Sequence, residues 1–82
     1  MDARLNELMA EITPENLRAA MQEYGNVDDS FSGKNENGED VVVGIANDSV
    51  VITTYQLNGW VRVNYYNSEG EIEGESYDGR WR

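Results

Sequence analysis

The stretch from Ser49 to Tyr66, SVVITTYQLNGWVRVNYY, constrains this chain more than any other. Two runs of β-branched and aromatic residues flank Asn58-Gly59, a dipeptide that signals a β-hairpin because both residues tolerate the positive φ of a two-residue turn. Such a turn sets Leu57 opposite Trp60, and the other partners follow by counting outward: Gln56 with Val61, Tyr55 with Arg62, Thr54 with Val63, Thr53 with Asn64, Ile52 with Tyr65. One face then carries Val50, Ile52, Thr54, Val61, Val63 and Tyr65 and reads as core. The other carries Val51, Thr53, Tyr55, Leu57, Trp60, Arg62, Asn64 and Tyr66, too polar for a core and too aromatic for an ordinary solvated face.

The neighbouring segments extend this hairpin into a meander. Asp40 to Ala46 reads as a strand, and Asn47-Asp48 as another tight turn. With Ala46 opposite Ser49, Val41, Val43 and Ile45 fall beside Thr54, Ile52 and Val50. A one-residue slip would expose all three aliphatics, which supports that register. On the far side, Asn67-Ser68-Glu69-Gly70 reads as a four-residue loop pairing Tyr66 with Glu71. Ile72, Gly74 and Ser76 then face the core, while Glu71, Glu73, Glu75 and Tyr77 join the aromatic face, with Glu75 beside Arg62 and Tyr77 beside Trp60. A three-residue loop with a bulge would bury Glu73 and Glu75, and unpaired buried carboxylates are costly. Asp78 to Arg82 reads as a closing turn. Residues 25–40 form an acidic, glycine-rich loop or a weak edge strand, Asn37-Gly38 pairing Phe31–Lys34 with Val41–Gly44.

Ahead of the sheet, Leu5, Leu8, Met9 and Ile12 make one stripe of an amphipathic helix, with Asp2 at the N-cap position. Thr13-Pro14-Glu15 reads as a break and restart, since a residue before proline avoids the α region and Pro14 suits a first helical turn. The second helix carries Leu17, Ala20, Met21 and Tyr24 inward and stops at Gly25. The expected fold is therefore α+β, a single domain over residues 1–82. Two short N-terminal helices (1–24) pack on one face of a three- to five-stranded antiparallel meander, with the sheet and C-terminal turn in 41–82.

The residue inventory removes most chemistry. With no histidine and no cysteine, the chain lacks the commonest general base, the commonest metal ligand and any thiolate or disulfide. Carboxylates alternating along one strand, about 6.6 Å apart, make a flat ladder and not the cleft that glycoside hydrolysis needs. No enzyme and no cofactor are therefore expected. Asp28, Asp29, Glu36, Asn37, Glu39 and Asp40 offer oxygen ligands suited to calcium, but Gly33 and Gly44 fall where an EF-hand places its first Asp and its last Glu. No metal is expected. The amino-terminal segment lacks the basic flank and apolar run of a leader or membrane span, so a cytoplasmic protein is expected.

Sixteen acids stand against six bases, a formal net charge of −10. Direct nucleic-acid binding is disfavoured by that charge, as is an anionic membrane. The expected partner is instead a protein with a basic surface, of the kind found on nucleic-acid-binding proteins. Tyr55, Trp60, Arg62, Tyr66, Glu71, Glu73, Glu75 and Tyr77 are the candidate partner-binding residues, since Tyr, Trp and Arg dominate interface hot spots. The alternatives are a structural or regulatory interaction module, or a homodimer, on the same aromatic face, or cover of that face by the C-terminal tail or the 25–40 loop. In size and charge the chain resembles the small acidic inhibitors of phages and mobile elements, the anti-CRISPR and anti-restriction proteins that imitate DNA. The ending NGWVRVNYYNSEGEIEGESYDGRW, Asn58 to Trp81, resembles small mobile-element proteins. What the resemblance implies is an inhibitor occupying the basic groove of a defence nuclease, with the Glu71/Glu73/Glu75 row at phosphate positions.

Overall fold

The structure, a computed structural model, describes residues 3–26 and 30–82. The N-cap expected at Asp2 and the oxygen ligands Asp28 and Asp29 lie outside the described residues. Two helices, α1 (Ala3–Met9) and α2 (Pro14–Tyr24), precede five strands: β1 (Ser30–Lys34), β2 (Asp40–Ile45), β3 (Val50–Tyr55), β4 (Trp60–Tyr66) and β5 (Ile72–Arg80). The strands form one antiparallel sheet in chain order, β1-β2-β3-β4-β5. The architecture is an α+β meander with both helices on one face.

The break between the helices follows from local chemistry. Thr13 is extended (φ −120°, ψ 157°), as its position before proline requires, and its Oγ1 accepts from the Asn16 N–H at 3.1 Å. Because α1 ends at Met9, Ile12 leaves the stripe and is 43% exposed, against the expectation that it packs inward. Gly25 closes α2 in a right-handed conformation (φ −64°), not the left-handed one its residue type suggested. Arg4 clamps the two helices together through Glu23, donating from Nε and Nη2 at 3.1 and 3.0 Å. Leu5, Leu8, Leu17, Ala20 and Met21 then meet Val43, Ile45, Val50 and Ile52 of the sheet. Each of these side chains except Ala20 contributes about 1.5–3 kcal/mol on burial. Tyr24 and Phe31 close one side of this core edge-on, with ring centroids 5.6 Å apart.

The β2–β3 register is the expected one: Val41 with Thr54, Val43 with Ile52, Ile45 with Val50, and the Ala46 N–H donating to the Ser49 carbonyl. The β3–β4 register is not. Thr54 pairs with Arg62, Ile52 with Asn64 and Val50 with Tyr66. The loop holds three residues, Leu57-Asn58-Gly59, between the pair Gln56 and Trp60, whose Gln56 N–H donates to the Trp60 carbonyl at 3.1 Å. Only Gly59 takes a positive φ (94°), so the turn is a type I turn closed by a left-handed glycine, not the primed turn that needs two such residues. The Asn58 side chain is occupied otherwise, accepting from the Trp60 N–H. One extra loop residue exchanges the faces of β4. Arg62, Asn64 and Tyr66 enter the helix side, and Val61 and Val63 are buried on the opposite side at 6% and 7% exposure.

The same turn recurs twice. Asn35 pairs with Glu39 around a loop closed by Gly38, and Asn67 with Glu71 around a loop closed by Gly70, each glycine at φ 79°. In both, the leading asparagine Oδ1 accepts two backbone N–H groups, from Asn37 and Glu39 and from Glu69 and Glu71. Consequently Phe31 pairs with Val43 and Lys34 with Asp40, one residue from the expected alignment, and the edge strand β1 exists. On β5, Tyr66 pairs with Ile72 instead of Glu71. Glu73 is then an extra residue between Ile72 and Gly74, and a second bulge at Asp78-Gly79 faces Val61. The expected closing turn is the end of a nine-residue strand. The three-residue loop rejected for burying carboxylates is thus the real one, and the Glu73 bulge leaves both Glu73 and Glu75 exposed.

Candidate functional site

The slipped register divides the eight candidate residues. Trp60, Arg62 and Tyr66 of β4 lie on the helix side of the sheet. Their β5 neighbours there are Tyr77 opposite Arg62, Glu75 opposite Asn64, and Ile72 opposite Tyr66. Tyr55 pairs with Val61 and lies on the other side. Glu71 sits at the end of the turn, and Glu73 in the bulge, so the row of three regularly alternating glutamates does not form. Glu75 is not beside Arg62, nor Tyr77 beside Trp60, in the pairing ladder, although the Trp60 and Tyr77 rings still meet edge-on at 6.4 Å.

The helices cover the β1–β3 half of their face and leave the β4–β5 half open. Trp60 is 41% exposed, Tyr77 56% and Ile72 59%. The Arg80 guanidinium lies 5.0 Å above the Trp60 ring, a cation–π contact that stiffens this end. Glu73, Glu75 and Asp78 are exposed along β5, and Glu71 just ahead of it. The Ser68-Glu69-Gly70 turn anchors β4–β5 to the helical layer: Arg18 Nη1 donates to the Glu69 carbonyl at 2.8 Å, and Gly70 abuts the Pro14 backbone.

At the β3–β4 turn the C-terminal residues fold back over the sheet. The Trp81 N–H donates to the Gly59 carbonyl at 2.9 Å, its Nε1 to the Gln56 carbonyl at 2.7 Å, and Arg82 Nη1 to the Leu57 carbonyl at 3.0 Å. The Trp81 ring meets Tyr55 edge-on at 6.3 Å. Tyr55 is therefore engaged within the chain, which removes it from the open surface.

Between the end of α1 and the sheet runs a cleft of about 770 Å³. Val41, Val43, Ile52 and Thr54 line it from the sheet, Arg62, Asn64 and Tyr66 from β4, and Met9 and Ile12 from the helical side. Arg62 forms no ion pair with any described residue. Its charge is felt by Glu39, but that carboxylate is already held by Asn35 Nδ2 at 2.9 Å and the Leu57 N–H at 2.9 Å. Those hydrogen bonds, from Asn35 first, keep the Glu39 carboxyl below the ordinary range. Burial pushes the Tyr66 hydroxyl above its ordinary value, with Arg62 pulling the other way, so it stays neutral.

Among the described residues no cluster of three acidic side chains is placed to hold a metal ion, and no helix is long and apolar enough to cross a membrane. Sequence reasoning missed Asn64 and Thr54 as cleft residues, whereas the tail it offered as one cover for the aromatic face does place Trp81 against Tyr55. The signal available was the recurrence of Asn-x-x-Gly at Asn35 and Asn67 with Gln56-x-x-Gly between them, which marks one turn type used three times.

The place of the chain among known proteins is not fixed by similarity: comparison with family models, curated proteins and solved structures yields no match.

Proposed function

We propose that the chain is a non-catalytic protein-binding domain that takes a basic partner on the open half of β4–β5. The observation that carries this reading is the exposure of Trp60, Tyr77 and Ile72 on one side of a strand pair whose outer strand bears Glu73, Glu75 and Asp78. Large rings supply apolar area at low entropic cost, and a carboxylate rim steers a cationic surface onto them. With a net charge of −10, a nucleic-acid-binding protein is the partner class that fits best. Inhibition of a defence nuclease through its basic groove is the specific form of this reading. The bulge at Glu73 changes how it works: recognition rests on aromatic anchors with a charged rim, not on a phosphate-spaced ladder.

The homodimer alternative loses ground on two observations. Tyr55 is already engaged by Trp81, and two copies meeting on this face would bring their exposed Glu73, Glu75 and Asp78 side chains together.

Affinity capture with the full chain, followed by titration of the captured protein, tests the proposal. Trp60→Ala should weaken binding about 30-fold, the effect of losing a 2 kcal/mol anchor. The triple change Glu71→Gln, Glu73→Gln, Glu75→Gln should slow association and flatten its salt dependence. A captured partner that is acidic, or an affinity indifferent to both changes, refutes it.

A further inference from the structure

The cleft beneath α1 holds two polar atoms that the described residues leave unanswered. Arg62 Nε and Asn64 Oδ1 are both buried with no hydrogen-bond partner among the described residues. Nearly all such groups in folded proteins are paired, and each unpaired one demands an explanation. Here a donor and an acceptor stand two residues apart on the same side of β4, about 6.6 Å between their backbone positions, and both line the same cavity. No carboxylate of a described residue pairs with the guanidinium, and Glu39, whose charge interacts with it, is committed to Asn35 and Leu57.

We propose that this cleft binds a small organic carboxylate carrying a hydrogen-bond donor on the adjacent carbon, a 2-hydroxy or 2-amino acid with an aliphatic body. The carboxylate accepts from Arg62 Nε, where partial burial makes a charge-assisted bond strong. The neighbouring hydroxyl or ammonium donates to Asn64 Oδ1. The aliphatic body lies on Val41, Val43 and Ile52, with Met9 and Ile12 on the helical side. The volume, about 770 Å³, falls in the range of small-molecule sites. This site adjoins the β4–β5 surface, since Arg62 lies opposite Tyr77 and Tyr66 opposite Ile72, but its ligand does not depend on a protein partner there.

The test is a titration of the full chain, isotopically labelled, with 2-hydroxyhexanoate, followed by NMR. Saturable shifts should gather at Thr54, Arg62 and Asn64, with the Arg62 Nε–Hε resonance among those that move. Hexan-1-ol, which lacks the carboxylate, should give no saturable shift there. Arg62→Gln should weaken binding about 10- to 100-fold, the loss of one charge-assisted bond. Because the wild-type map locates the site unaided, the proposal can still fail if Arg62→Gln does not fold. Shifts absent, non-saturable or scattered over the surface would mean that water alone satisfies the two atoms. That outcome overturns the proposal, as does saturable binding that Arg62→Gln leaves unchanged.

Discussion

Three turns of one design, set in three different surroundings, make a graded experiment on what holds the sheet in register. Gly38, Gly59 and Gly70 all take a left-handed φ, and alanine in that conformation costs about 1–2 kcal/mol. Alanine also restrains the unfolded chain, which returns about 0.4–1 kcal/mol. At Gly38 a Cβ meets nothing within 4 Å, so the net loss should be about 0.5–1 kcal/mol. At Gly59 the Cβ comes within 2.9 Å of Arg80 Nη2, the far end of a flexible side chain, which yields at the expense of its contact with Trp60. About 1–2 kcal/mol follows there. At Gly70 the Cβ lies 2.5, 2.8 and 3.0 Å from the O, Cα and C atoms of Pro14, backbone that cannot move without displacing the first turn of α2. Overpacking adds about 1–3 kcal/mol to the strain, for a total of about 2–4. Urea denaturation of the three variants should rank them Gly38→Ala, Gly59→Ala, Gly70→Ala in increasing loss, and thermal midpoints should fall about 4–8 °C per kcal/mol. Asparagine, which visits the left-handed region, should restore most of the loss at 38 but not at 70. A Gly70→Ala protein no less stable than Gly38→Ala would refute the seating of the β4–β5 turn on Pro14.

Three further outcomes are expected. Thr13→Ala removes the oxygen that caps α2 and should cost about 1 kcal/mol in urea unfolding, with the helical circular-dichroism signal reduced near the midpoint. Deleting Trp81 and Arg82 removes the bond to the Gln56 carbonyl and the ring contact with Tyr55, together about 1–3 kcal/mol, and should speed hydrogen exchange around the β3–β4 turn. The folded-state pKa of Glu39 lies below its ordinary value of 4.5, so its contribution is full above pH 4.5 and fades as the pH falls through the lower, folded value. The stability gap between wild type and Glu39→Gln should therefore close on acidification. A gap that widens below pH 4.5 would contradict the assigned hydrogen bonds.

The parts of the fold legible in the sequence are those where one face alone is buried. On β2 and β3, Val41, Val43, Ile45, Val50 and Ile52 alternate with half-buried residues, and only one register satisfies them. The Thr13-Pro14 break was readable because proline restricts its neighbour for steric reasons that hold in any context. β4 defeated the same logic because it is buried on both sides, with Val61 and Val63 on one and Tyr66 against the core on the other. Aliphatic alternation then says which residues go together but not which way they point. That decision passed to the loop, where the Asn58 side chain accepting from the Trp60 N–H favours the longer turn over the primed one. β5 carried no burial signal at all: except for half-buried Gly74 every residue is exposed, and its register is set by bulges at Glu73 and Asp78-Gly79. The candidate site inherited these errors directly. Arg62 stands out by residue type alone, but its side follows from the loop length, so Asn64 and Thr54 group with it only once that length is known.

The neighbour-only order of the strands bears on how the chain assembles. Every strand pairs with the next along the chain, across loops of a few residues, so closing each ladder sacrifices little chain entropy. A β-sheet of this kind has far more local pairing than a sandwich or Greek key, and its folding barrier should be correspondingly low. The helices stand in the opposite position. At seven and eleven residues they are too short to persist alone in water, and their apolar stripes meet a surface made by β2 and β3. During synthesis α1 and α2 must therefore wait for residues that follow them, and the hairpin around Asn47-Asp48 is the piece whose completion lets these helices dock.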